Sequence, residues 1–182
     1  MKQVFLILFI CVAIVFSSFA VNPPGTQKVK VGNETWYFDK NELKVIDYQE
    51  YIYYKTKIDS ISIEELQTIL PDSNILKNKY PKYYEKYNPD YQNGKFAHFS
   101  AEDLPLVGLT REQVEGYCAW RSERVCQNPK FTDKGKFNIV YSLPSEEQID
   151  RLNERKAFKE PIQKPDFPQS GFRCIATIEV KK

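Results

Sequence analysis

The sequence has one histidine, His98, and only four cysteines among its 182 residues. Metal sites and general acid–base chemistry in proteins depend heavily on these two residue types. The spacing of the chain reveals no set of partners around His98. The sequence therefore predicts no metal site, and we expect His98 to be solvent-exposed or packed within a loop.

The sequence also lacks an excess of charge of either sign, because it contains 26 lysines and arginines and 24 aspartates and glutamates. Proteins that bind nucleic acids or membrane surfaces by electrostatics usually show a basic face or run. No such run and no internal repeat occurs here. We expect no nucleic-acid partner.

A hydrophobic run long enough for a stable membrane span is missing as well. Lys2 precedes a short apolar stretch, Val4 to Phe16, and small residues follow at Ser18 and Ala20. This order is typical of a secretory signal, and the run is shorter than the ~20 residues that a spanning helix needs. We expect residues 1–20 to be cleaved, with no stable membrane span afterwards, and the chain to be exported; an uncleaved anchor is the alternative.

The rest of the chain is the size of one domain. Residues 21–35 are predicted to be an extended lead-in, with an edge strand at Lys28–Val31, and residues 36–182 a single α+β domain. Trp36 to Phe38 looks like a strand, and the patterns Asp47-x-x-Glu50 and Ser62-x-x-Glu65 predict two capped helices. Residues 71–100 are rich in tyrosine and lack a steady period, which predicts a long packed surface loop with one helical turn at most.

A third capping box, Thr110-x-x-Gln113, predicts a helix in which Cys118 shares an inward face with Val114 and Tyr117. A cysteine buried in apolar surroundings is inert. With residues 1–20 removed, three cysteines remain, so at most one intramolecular bridge forms. From the residues alone, Cys118 is a working thiol, a metal ligand or one end of a bridge.

Three elements are predicted in the last third of the chain. Phe137–Leu143 is a strand, a helix capped by Ser145 follows with Ile149 and Leu152 facing inward, and Gly171–Ile178 is the last strand.

Three motifs in this order resemble the formylglycine-generating-enzyme, or sulfatase-modifying-factor, domain family. They are PLVGLTREQVEGYCAWRSERV at 105–125, YSLPSEEQID at 141–150 and GFRC at 171–174. The second departs from the family pattern, since Ser142 replaces an arginine and Ile149 a tryptophan. LPDSNI at 70–75, ahead of the tyrosine-rich stretch, is most similar to the gliding-motility lipoprotein branch of the family in Bacteroidetes-type bacteria.

The resemblance implies a reduced C-type-lectin-like fold with long irregular loops. It also implies a disulfide between Cys118 and Cys174, which leaves Cys126 free or joined to another protein. An exported member of this branch would work in the bacterial cell envelope, in the periplasm, at the outer membrane or outside the cell.

The family's catalytic features are missing. Its enzymes bind copper through two cysteines just upstream of Gly-Phe-Arg, but residues 151–170 here contain no cysteine. The long middle section of the family is also absent between Ser145 and Gly171. We expect no copper or other cofactor and no catalysis; the alternative is a copper-dependent oxidase, or thiol chemistry at Cys126 with Arg121 and Arg124 as basic neighbours.

Tyrosines between residues 80 and 99 are the predicted contact surface, because tyrosine is enriched at protein interfaces. They are Tyr83, Tyr84, Tyr87 and Tyr91. The sequence thus predicts a non-catalytic binding or structural module with an envelope protein as its partner. Glycan binding by exposed tyrosines is a further alternative, and simple loop packing is the non-functional explanation.

Overall fold

A computed structural model of the chain describes residues 22–81 and 103–181. This part of the chain contains four strands and five helices. In chain order they are β1 (Thr26–Val31), β2 (Glu34–Asp39), α1 (Val45–Lys57), α2 (Ile63–Ile69), α3 (Ser73–Lys79), α4 (Arg111–Cys126), β3 (Phe137–Ser142), α5 (Glu146–Glu154) and β4 (Ile175–Val180). The predicted α+β class is confirmed.

The strands form one antiparallel sheet in the order β1-β2-β4-β3. β1 and β2 form a hairpin that turns at Gly32, where φ is 65°. β4, the last strand along the chain, pairs with β3 over six residue pairs and with β2 over two. The last strand therefore lies in the middle of the sheet. β1 lies at one edge as predicted, and it begins at Thr26 rather than Lys28.

The sheet separates two hydrophobic clusters. Because side chains alternate along a strand, Tyr37 of β2 faces one cluster while Trp36 and Phe38 face the other. The larger cluster contains the inward faces of α1 and α4, and the smaller one contains Ile149 and Leu152 of α5. α1 and α4 thus cover one face of the sheet, and α5 covers part of the opposite face.

Three helices begin at the predicted caps. In each, the N-cap hydroxyl accepts the backbone N–H three residues on, and that residue's side chain accepts the N-cap N–H. The pairs are Ser62 with Glu65 in α2, Thr110 with Gln113 in α4 and Ser145 with Gln148 in α5. The structure confirms these three starts. The sequence could predict them because a capping box is a purely local signal.

The predicted start of α1 is wrong. Asp47 is the third residue of that helix rather than its cap, and its Oδ2 accepts the backbone N–H of Lys44 at 3.1 Å. The helix begins at Val45 because the preceding backbone is fixed by distant residues: Val45 N–H donates to the Leu104 carbonyl, and Lys44 forms a β-bridge with Pro105. A contact across about 60 residues leaves no sign in the local pattern.

The loop predicted over 71–100 contains a helix of seven residues, α3. Asp72 caps it, since its Oδ1 accepts the N–H groups of Asn74 and Ile75 at 2.8 and 3.4 Å. Leu76 is the one buried residue of this helix, so the apolar period is too weak to show in the sequence. Residues 82–102 lie outside the described residues.

The last strand begins four residues later than predicted. Cys174 N–H donates to the side chain of Asp39 at 3.0 Å, and Phe172 C=O accepts the N–H of Leu43. Because these bonds are not strand-ladder bonds, β4 starts at Ile175 rather than at Gly171.

Candidate functional site

Cys118 and Cys174 meet in the interior, as the family resemblance implies. Cys118 lies on the buried face of α4, and Cys174 directly precedes β4. Their Sγ atoms are 3.1 Å apart and are not bonded in this structure. A hydrogen bond with Cys118, together with burial, raises the pKa of the Cys174 thiol well above its usual range. The disulfide itself stays a prediction.

Cys126 has a role that the sequence did not reveal. Its Sγ accepts the N–H of Ile139 at 3.2 Å and donates to the carbonyl of the same residue at 3.5 Å. One turn earlier in α4, Ser122 Oγ accepts the N–H of Tyr141 at 2.8 Å. β3 is an edge strand, and an open edge exposes unpaired backbone groups. Cys126 and Ser122 satisfy those groups and attach α4 to the sheet.

Arg121 and Asp39 form a buried ion pair in which two guanidinium nitrogens bind two carboxylate oxygens at 2.8 and 2.9 Å. Their side chains are 16% and 9% exposed. Arg121 also donates to the carbonyl of Pro24 at 3.0 Å and stacks over the Tyr141 ring at 3.9 Å. Desolvation lowers the pKa of Arg121, but the bonds and charge of Asp39 outweigh it and the net pKa is raised.

Neither basic neighbour of Cys126 is hydrogen-bonded to its sulfur. Arg121 is bound to Asp39, while Arg124 donates to the hydroxyl of Tyr54 and to Gln127 and lies over the Tyr54 ring. The structure therefore gives no support to the alternative in which these arginines activate Cys126.

A cleft of about 420 Å³ opens between α4 and the segment that runs from the end of β2 into α1; we name it the central cleft. Its size falls in the range of small-molecule sites. Its lining residues are Gly25, Asp39, Asn41, Glu42, Leu43, Lys44, Asp47 and Glu50 on one side and Tyr117, Trp120, Arg121, Arg124 and Val125 on the other. One side is thus rich in carboxylates and the other contains two aromatic rings.

The aromatic side of the cleft is part of a larger packed group. The ring centroid of Trp120 lies 5.3, 5.9 and 5.7 Å from the ring centroids of Tyr51, Tyr54 and Tyr117. Its indole N–H is buried without a hydrogen-bond partner in the described part of the chain. The indole N–H of Trp120 is therefore not accessible to solvent, and the neighbouring rings pack around the indole.

The predicted tyrosine contact surface lies outside the described residues, as does the lone histidine, His98. Its members are Tyr83, Tyr84, Tyr87 and Tyr91. Earlier in the chain, Tyr48 and Tyr51 are core residues and Tyr53 is exposed.

Within the described residues, no group of three or more histidine, cysteine or acidic residues is arranged to hold a metal ion. No helix there combines the length and apolar character needed to cross a bilayer.

The central cleft was not predicted from the sequence, because its two sides come from segments about 75 residues apart. The only signal was the pair Trp120 and Arg121 within the family-like helix motif. Comparison of the chain with protein-family models, with curated proteins and with solved structures gives no match.

Proposed function

We propose that this chain is an exported, non-catalytic relative of the sulfatase-modifying-factor domain, with a reduced C-type-lectin-like fold. It acts as a binding or structural module in the bacterial cell envelope, with an envelope protein as its partner. A place in gliding or secretion machinery follows from the family resemblance alone.

The main support is that all three thiols in the described residues make structural contacts. Cys118 and Cys174 are buried against each other, and Cys126 bonds to the backbone of β3. All three are occupied in joining α4 to the sheet or to the segment before β4. The retained family motifs thus serve the scaffold, while the central cleft provides a concave surface for a ligand.

Site-specific photo-crosslinking in the source cell tests this function. A photoreactive amino acid replaces Asn41, which is exposed at the central cleft, and in a control it replaces Glu147, which is exposed on α5 beyond the opposite face of the sheet. We expect a crosslinked envelope protein at position 41 and none at position 147. Equal crosslinking at both positions, or none at position 41, contradicts the proposal.

Export is tested in the same cells. The mature N-terminus, read from the protein purified out of the envelope fraction, is expected at Val21. A cytoplasmic protein that retains residues 1–20 would contradict export.

A further inference from the structure

The charges around the central cleft do not balance. Four carboxylates line it, from Asp39, Glu42, Asp47 and Glu50, against the cations Lys44, Arg121 and Arg124. Lys44 is bound at 2.7 Å to a further carboxylate, Asp103. Counted with Asp103, the lining residues carry five carboxylates against three cations.

Within the described residues, three of these carboxylates, from Glu42, Asp47 and Glu50, have no ion-pair partner, and one of the cations, Arg124, has none either. Arg121 is paired with Asp39 and Lys44 with Asp103, and Asp47 accepts the N–H of Lys44 at the start of α1. Glu42 and Glu50 make no hydrogen bond and no ion pair within the described residues.

The Glu42 carboxylate lies against the backbone of Gly171. It is half-buried, and a Cβ placed on Gly171 would lie 2.8 Å from its Oε2. A glycine at position 171 therefore leaves the space that this carboxylate occupies. Next to burial, the negative charge of Glu42 contributes to the raised pKa of Tyr80.

The opposite wall suits a cation as well. Trp120 and Tyr117 line the cleft, and aromatic rings attract ammonium and guanidinium groups, tryptophan most strongly. A cleft lined by both carboxylates and aromatic rings favours an organic cation, since water alone satisfies the carboxylates but not the rings.

We propose that the central cleft binds an alkyl ammonium or guanidinium group, with Glu42 and Glu50 as its charge partners and Trp120 as its aromatic contact. The inference rests on the proposed binding function and names its ligand chemistry. The group has two possible sources, a free amine or a lysine or arginine side chain on a partner protein.

Two titrations followed by amide NMR of the labelled protein separate these sources. One uses agmatine, and the other uses the capped tripeptide glycyl-arginyl-glycine. An uncharged isostere of each probe serves as its control. The isostere of the peptide contains citrulline in place of arginine. We expect a charged probe to shift amide signals around residues 39–50 and 117–125, and the uncharged isosteres to leave them unchanged. Tighter binding of the peptide would identify a basic protein segment, and tighter binding of agmatine a free amine.

Matched variants test the assigned residues. Glu42→Gln and Glu50→Gln together are expected to weaken binding about tenfold or more, because each loses a charge-assisted contact. Glu179→Gln removes one exposed negative charge from β4, away from the cleft, and is expected to have little effect. Trp120→Phe keeps a ring and is expected to bind more weakly than the wild type but more tightly than Trp120→Leu.

Three results would overturn the inference: equal binding of the uncharged isosteres, equal weakening by Glu179→Gln, or no binding of either cation at about 10 mM. If photo-crosslinking at position 41 still captures an envelope protein, the ligand chemistry is wrong while the binding function stands. If neither experiment gives binding at the cleft, both are wrong.

Discussion

Arg121 and Asp39 join four segments of the chain. Arg121 lies in α4, Asp39 ends β2, and both contact neighbours elsewhere, at Pro24 and Cys174. Removing one partner of an ion pair with little solvent access is costly, because the remaining charge is left buried and unpaired.

Replacing Arg121 with methionine tests this. The variant keeps much of the side chain's bulk but leaves the Asp39 carboxylate without its bidentate partner. We expect it to lower the free energy of unfolding by about 3–5 kcal/mol, measured by urea denaturation.

Arg124→Met is the matched control one turn along the same helix. Arg124 is exposed and has no carboxylate partner in the described residues, so a loss of at most about 1 kcal/mol is expected. Similar losses for the two variants would mean that the ion pair with Asp39 adds nothing beyond an ordinary surface contact.

The start of α4 combines a local signal with a tertiary one. Gln113 accepts the N–H of Thr110 through its Oε1, as the capping box predicts, and its Nε2 donates to the carbonyls of Thr68 and Leu70 at 2.9 Å each. The same amide therefore caps α4 and binds the C-terminal end of α2. In α5 the corresponding Gln148 accepts the N–H of Ser145.

Gln113→Glu separates these two roles. Glutamate keeps the acceptor for the Thr110 N–H but loses both donors and places a negative charge near two carbonyl oxygens. We expect a loss of about 1–3 kcal/mol in the free energy of unfolding.

Gln148→Glu makes the same chemical change in a capping box without those two carbonyls. Acidic residues in a first helical turn are favourable, so thermal unfolding is expected to show no loss or a small gain. If the two variants behaved alike, the bonds from Gln113 to α2 would be irrelevant to stability.

These elements show which parts of the fold the sequence could predict. The caps at Ser62, Thr110 and Ser145 were predictable because side chain and backbone lie within four residues of each other. The start of α1 was not, since Leu104 and Pro105 determine it. The hydrogen bonds from Gln113 to α2 and those between Cys126 and β3 also join residues that no local pattern connects.

The hydrophobic interior brings together Cys118 and Cys174, which are 56 positions apart. In an oxidising compartment we expect them to form a disulfide. A bridge over this separation would stabilise the fold by roughly 4 kcal/mol, measured as the difference in denaturation between the oxidised and reduced protein.

A non-reducing peptide map of the exported protein, alkylated at lysis, checks the connectivity. The map should join the peptides of Cys118 and Cys174 and leave Cys126 outside that pair. Cys126→Ser provides the control, because it should leave the stability gain on oxidation unchanged. A bond from Cys126 to either partner, or reduced Cys118 and Cys174, would count against the pairing.

Buried tyrosines lower the stability of the fold at alkaline pH. Burial, the largest cause in each case, raises the pKa of several tyrosines above the ordinary value near 10: Tyr48, Tyr51, Tyr80, Tyr117 and Tyr141. Below pH 10 these groups are protonated in both states. Above it the unfolded chain releases their protons while the folded chain retains them, so stability falls as pH rises.

Tyrosinate absorbance and circular dichroism, recorded together from pH 8 upward, check this. We expect a fraction of the tyrosines to ionise only as the fold is lost. Tyr117→Phe should make the alkaline loss of stability less steep, whereas Tyr53→Phe, at a side chain that is 56% exposed, should not. Complete ionisation near pH 10 with an intact fold would show that the buried hydroxyls are accessible.

The sequence by itself determined the α+β class, three helix starts and the inward face of α4, and the family resemblance implied that Cys118 approaches Cys174. These features follow from local capping, from apolar period and from a short run of family-like motifs. The tertiary structure decided the rest: the central place of β4, the Arg121–Asp39 pair, the contact of Cys126 with β3, and the central cleft. Each of these depends on backbone and side-chain groups that meet only when the core closes, since burial of apolar surface, rather than any local signal, brings distant segments into contact.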